Sequence, residues 1–213
     1  MAKEIADPQP KSKGKGSVEQ ILKAASDLFG RDGFDGASSD DIALAVGISK
    51  PTLYKRFSSK LDILQAISEK HHRELNAKAR SIADGEGPAA EKLETLFRTH
   101  VRYTVERRVD FQVLNSEKRR LPDRRAINRY ADEYMQLLRD LIAASLGQDA
   151  SPQDIEIVAR SFIALANWPG FWFRPQSGEL SLQKLIDGAW TLFAGGYQAA
   201  AAANPAAPDR SRS

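Results

Sequence analysis

Between Ser49 and Arg56 the chain places hydroxyls and cations on one short stretch. Ser49 is set to cap a helix, Pro51 falls in its first turn, where a missing N–H does no harm, and Lys50, Thr52, Tyr54, Lys55 and Arg56 follow. Side chains of this kind can bond base edges and phosphate oxygens, and a short helix carrying them fits a DNA major groove. Ser38 and Ser39 add hydroxyls at the start of the preceding helix, where free N–H groups and the helix dipole favour a phosphate. Nothing comparable supports catalysis, for there is no GxSxG elbow, no Walker loop and no HExxH. Of the three histidines, His71 and His72 are adjacent and face different sides of a helix, so they cannot chelate one ion. His100 lies on an apolar stripe, as a satisfied core histidine does. Glu117 with His100 is a faint catalytic pairing. No enzyme activity, cofactor or metal is expected.

The groove-reading stretch needs a brace. Ser38 with Asp41 three residues on forms a capping box. Ile42 and Ala45 give the next helix a short buried face, Gly47 ends it and Ile48 plugs the core. Before it, Val18, Ile21, Leu22, Ala25, Leu28 and Phe29 draw a helical stripe over residues 17–31, with Gly33 as the stop and Phe34 tucked back. The pattern predicts three helices within residues 17–60.

The remainder predicts helices only, about nine in the whole chain. Leu61, Leu64, Ile67, His71 and Leu75 share one face of a helix over residues 59–82, and a Gly-Glu-Gly-Pro break follows at 85–88. Leu93, Leu96, Phe97, His100, Val101 and Val105 line the next. A shorter helix spans about 111–119, another about 124–146, and the stretch from Val158 to Trp168 is apolar nearly all round, the mark of a buried helix. A last helix over 181–198 carries Leu182, Leu185, Ile186, Ala189, Trp190 and Phe193 on a stripe. Residues 61–200 thus read as a second helical domain. Residues 1–16, with Lys11, Lys13 and Lys15, read as a disordered basic tail, either solvated or touching phosphates, and residues 201–213 as a frayed one.

The chain has 213 residues, a net charge of +3 and no cysteine, which fits a cytoplasmic protein. Its cations gather from Lys11 to Lys60, a local basic face rather than a general polyanion binder. No apolar run is long enough to span a bilayer, and no membrane partner is expected.

Across residues 18–64 the chain resembles the tetracycline-repressor (TetR) family of transcriptional regulators. The residues that carry the likeness are Ile42, Ala43, Gly47, Ile48, Ser49, Pro51, Thr52, Leu53, Tyr54, Phe57, Ser59, Lys60 and Leu64; Ser39 departs from it, standing where the family often has an apolar residue. The resemblance implies an all-α fold, an N-terminal helix-turn-helix domain followed by a helical ligand-binding and dimerisation domain. It also implies that Lys50, Pro51 and Tyr54 face base edges while Thr52, Lys55, Arg56 and Lys60 hold phosphates.

One such unit covers few bases, so two related by a twofold axis are expected on a palindromic operator. The last two long helices would form the homodimer interface, through Leu182, Leu185, Ile186, Ala189, Trp190 and Phe193. Phe97, His100, Phe111, Glu117, Tyr134, Phe162, Trp168, Trp172 and Arg174 are the candidates for an effector pocket. The runs at 115–121 and 167–181 look like a subgroup that answers to acyl-CoA thioesters, with Arg119, Arg120, Arg124, Arg125 and Arg174 available for phosphates. The implied function is a repressor released by a small apolar or acyl-CoA-type effector; the alternative is a DNA-binding regulator without one.

Overall fold

The computed structural model describes residues 16–147, 150–174 and 180–203, and every regular element within them is a helix. Of the tails expected at 1–16 and 201–213, residues 1–15 and 204–213 lie outside the described residues, and 201–203 are helical. In chain order the helices are α1 (Val18–Gly36), α2 (Ser39–Ala45), α3 (Lys50–Tyr54), α4 (Lys60–Ala83), α5 (Ala89–Glu106), α6 (Arg108–Glu117), α7 (Arg124–Leu146), α8 (Pro152–Asn167), the single turn α9 (Pro169–Trp172) and α10 (Leu182–Ala203). The last helix therefore runs beyond residue 200, and α1 runs past residue 31 with a break at Gly33, whose φ is 75°.

Local chemistry sets the helix starts. Capping boxes open α1 (Ser17 with Gln20) and α2 (Ser38 with Asp41), and Ser49, Ser59 and Ser151 each accept a backbone N–H at the starts of α3, α4 and α8. The α2–α3 turn is closed by two bonds, Ile48 N–H to the Ala43 carbonyl and Gly47 N–H to the Leu44 carbonyl. This is a Schellman motif. Gly47 supplies the left-handed conformation it requires, with φ 69°.

Two apolar cores follow. The smaller joins α1, α2, α3 and the start of α4 through Ile21, Ala25, Phe29, Ile42, Leu53, Ile63 and Leu64, and it takes in Val113 and Leu114 of α6 and Leu121 beyond it. The larger joins the end of α4 to α5, α7, α8 and α10 through Leu75, Leu96, Phe97, Leu138, Ile142, Phe162, Ile186 and Phe193. The 24 residues of α4 belong to both, a rod of about 36 Å.

Several inward assignments change. Val18 and Leu61 are 46% and 36% exposed, at the outer edges of their stripes. The helix α8 is not buried all round: Ile157, Ser161, Ala164 and Trp168 form an exposed stripe at helical spacing, while Val158, Ala159, Phe162 and Ala166 face the core. Ile186 and Phe193 are 0% and 3% exposed inside the chain's own core, and Leu182, Ala189 and Trp190 pack against it, with Leu185 half-buried. Of these six, Ile186 and Phe193 are buried inside the chain's own core, while Leu182, Leu185, Ala189 and Trp190 keep part of their surface exposed. The outward face of α10 instead carries Gly188, Leu192, Gly195 and Gly196.

Candidate DNA interface and ligand cavity

α3 is held by one anchor. Leu53 is fully buried, whereas Ser49, Lys50, Pro51, Tyr54, Lys55 and Arg56 are exposed and Thr52 is half-buried. Ser38 and Ser39 are half-buried at the start of α2. Local bonds fix the set. Ser49 Oγ lies 2.9 Å from Thr52 Oγ1, Tyr54 donates its hydroxyl to Ser39 Oγ at 3.2 Å, and Lys50 pairs with Asp40 at 2.8 Å. The Asp40 carboxylate raises the Lys50 pKa above its ordinary value, so the ammonium stays charged. Among the described residues Lys55 and Arg56 enter no ion pair, which leaves their charge available. The surface can bond a polyanion and project Lys50, Pro51 and Tyr54 beyond it.

Lys60 is held by the backbone just before Ser38. Its ammonium donates to the Phe34 carbonyl and, at 2.8 Å, to the Ala37 carbonyl, and it sits 4.5 Å from the centre of the Phe34 ring. Half-buried, it closes the end of α1. Arg120 reaches the same corner, bonded twice to Asp35 at 3.0 and 2.7 Å.

A cavity of about 350 Å³ opens where the two cores meet, walled by α4, α5, α6, α7 and α8. Leu114 and Leu121, both members of the smaller core, line it. Of the candidate pocket residues the structure brings His100, Phe111 and Tyr134 together on its wall. The others do not line it. Phe97 and Phe162 are fully buried in the larger core, their rings 5.1 Å apart edge to face. Glu117 pairs with Arg120 at 2.7 Å. Trp168 and Trp172 are 62% and 45% exposed on the outer surface, and Arg174 is turned toward the Phe171 and Phe173 carbonyls.

His100 is satisfied on both ring nitrogens. Tyr134 donates to Nδ1 at 2.7 Å and Nε2 donates to Asn167 Oδ1 at 3.0 Å. Burial pushes its pKa down to about 4 and raises that of Tyr134, so both are neutral near pH 7. Burial, with His72, His100 and Arg107 nearby, takes His71 down to about 3. Ser68, His71, Asn128 and Lys118 also line the cavity and were not among the candidates. The signal for the first pair was available: two polar residues one turn apart on the otherwise apolar face of α4. Among the described residues no group of three or more His, Cys, Asp or Glu is placed to hold a metal ion, and no helix is long and apolar enough to cross a membrane.

A helix-turn-helix mounted on a helical domain is the architecture of a DNA-binding regulator. Residues 21–67 match the family described as "Bacterial regulatory proteins, tetR family", and residues 86–197 match "Tetracyclin repressor-like, C-terminal domain". The chain belongs to the TetR family of DNA-binding transcriptional regulators, whose members are regulators rather than enzymes. It is 46% identical over 52 residues to the HTH-type transcriptional activator FasR of Mycolicibacterium smegmatis, a match over 24% of each chain, so it spans about a quarter of that relative's length. Among solved structures it resembles PfmR, a TetR family transcriptional regulator from Thermus thermophilus, at a TM-score of 0.70 and 25% identity over 81% of this chain and 96% of that one. AibR, solved in complex with isovaleryl coenzyme A and operator DNA, shares the fold at a TM-score of 0.72, with 23% identity over 82% of this chain and 96% of that one.

Proposed function

We propose that the protein is a ligand-responsive repressor that binds a palindromic operator as a homodimer in the cytoplasm and leaves it when a small apolar or acyl-CoA-type effector fills the cavity. The observation that carries this reading is the shared wall: Leu114 and Leu121 belong both to the core that holds α3 and to the cavity lining. A ligand that displaces α6 therefore displaces the seat of the recognition helix. It shifts the equilibrium only through its different affinity for the two arrangements, by several kcal/mol for a full switch. The acyl-CoA class is supported by the isovaleryl coenzyme A held in the AibR complex and by the mixed polar and apolar cavity.

The dimer is supported by the exposed stripe on α8 and the outward face of α10. Gly188, Gly195 and Gly196 permit close helix approach, and Ile157 and Leu192 supply apolar area at 63% and 73% exposure. On the DNA, Lys50, Pro51 and Tyr54 read base edges; Lys50 exchanges Asp40 for a base acceptor. Ser38, Ser39, Ser49, Thr52, Lys55 and Arg56 hold phosphates.

The test uses operator duplexes selected from a random pool. Lys50→Ala should relax sequence choice by about 1–3 kcal/mol at one position. Acyl-CoAs, fatty acids and aromatic acids should include at least one compound that lowers operator affinity. Operator affinity unchanged by all of them would leave a DNA-binding regulator without a small-molecule input.

A further inference from the structure

The floor and the rim of the cavity differ in chemistry. On the floor Ser68 and His71 are 1% and 7% exposed, and Ser68 Oγ and His71 Nδ1 have no hydrogen-bond partner. They lie one turn apart on the same face of α4. Beside them the bonds from Tyr134 to His100 and from His100 to Asn167 leave the Asn167 amide N–H groups without a partner among the described residues. The floor therefore carries unspent hydrogen-bonding capacity and no full charge. Among the described residues, the Asp, Glu, Lys or Arg side chains lining the cavity are Lys118 and Arg124, both exposed at the rim and neither in an ion pair.

These features restrict what can lie there. An ionised group on the floor would lose its water and meet no opposite charge. A hydrocarbon end would leave Ser68 and His71 as unpaired as they are now. An uncharged oxygen avoids both penalties, since the Ser68 hydroxyl can donate or accept. At the rim a carboxylate or phosphate finds two cations in water-exposed surroundings.

We propose that the effector is an amphiphile with its anionic end at Lys118 and Arg124 and an uncharged oxygen, a hydroxyl or carbonyl, at its inner end bonded to Ser68 and His71. The assignment rests on the reading of this cavity as the effector site.

Decanoate, 10-hydroxydecanoate and decanedioate share one chain length and one rim carboxylate, and differ at the inner end. Binding to the full chain is measured by calorimetry, and release of selected operator DNA by fluorescence anisotropy. The hydroxy acid should bind about 3–10-fold tighter than decanoate, the yield of one neutral hydrogen bond. The diacid should bind at least about 10-fold more weakly than the hydroxy acid. Ser68→Ala, with its melting checked by circular dichroism, should erase most of the hydroxyl preference. Lys118→Ala should weaken decanoate and the hydroxy acid alike. Decanoyl-CoA set against decanoate distinguishes a nucleotide phosphate from a free carboxylate at the rim.

Equal affinity for decanoate and the hydroxy acid, or tightest binding by the diacid, overturns the inner-end assignment while the effector site stands. No binding by any of these probes, with operator affinity unchanged, overturns the assignment together with the reading beneath it.

Discussion

Replacing Lys60 by methionine separates a structural from a DNA-contacting role. Lys60→Met keeps most of the apolar stem and removes the ammonium. With the ammonium go the hydrogen bonds to the Phe34 and Ala37 carbonyls and the packing over the Phe34 ring. Hydrogen bonds from a charged donor contribute about 1.5–3 kcal/mol each, and a cation over an aromatic face about 0.5–1. Lys60 is half-buried, so solvent replaces part of the loss, and about 2–4 kcal/mol is expected overall. For a chain of this size each kcal/mol moves Tm by about 2–4 °C, so the melting point should fall by about 4–16 °C. Lys55→Met is the control, because Lys55 is exposed and unpaired among the described residues. It should leave Tm unchanged and reduce the salt slope of DNA binding by about 0.9 for each phosphate that Lys55 neutralises. Calorimetric melting and a salt titration of DNA affinity measure both. An unchanged Tm for Lys60→Met, with a slope reduction like that of Lys55→Met, would refute the reasoning and return the ammonium to the phosphates.

Gly47→Ala meets no atom within 4 Å, so its cost comes from the positive φ alone; about 1–2 kcal/mol of stability should be lost, with a matching fall in Tm. Stability should also fall with acid. His71 and His100 have folded pKa values near 3 and 4, below the usual 6.5, so the unfolded chain binds more protons below pH 6.5. Each histidine then removes up to about 1.4 kcal/mol per pH unit as pH drops from 6.5 toward its folded pKa, and no such loss occurs above pH 6.5. Urea unfolding at pH 7 and pH 5 measures it, and His71→Phe should lessen the difference by its share.

Local chemistry made the DNA-reading half legible. The Ser38–Asp41 box, the Ser49 cap, Pro51 and Gly47 act over a few residues, and each stands where the spacing placed it. The structural bonds of Lys60 are invisible in the sequence because its partners lie 26 and 23 residues upstream, a distance no periodicity encodes. In the second half, periodicity marked the helices but not their orientation. α8 is apolar on two faces, and only packing decides that Phe162 turns in while Trp168 turns out. The stripe on α10 buries Ile186 and Phe193 in the chain's own core, which periodicity cannot tell from a face kept for a partner. The cavity was the least legible feature. It exists because two cores meet on α4, and Ser68 and His71 are polar at that junction.

A reading head carried by α4 has no slack. The helix runs unbroken from the core behind α3 into the larger bundle, with no coil between them to absorb a misfit. In the proposed dimer, one inserted base pair would displace the second half-site by about 3.4 Å and turn it by about 35° around the duplex axis. A tethered domain would follow that turn; a rigid mount cannot. Half-site spacing is then a property built into the protein, as unforgiving as the gauge of a railway.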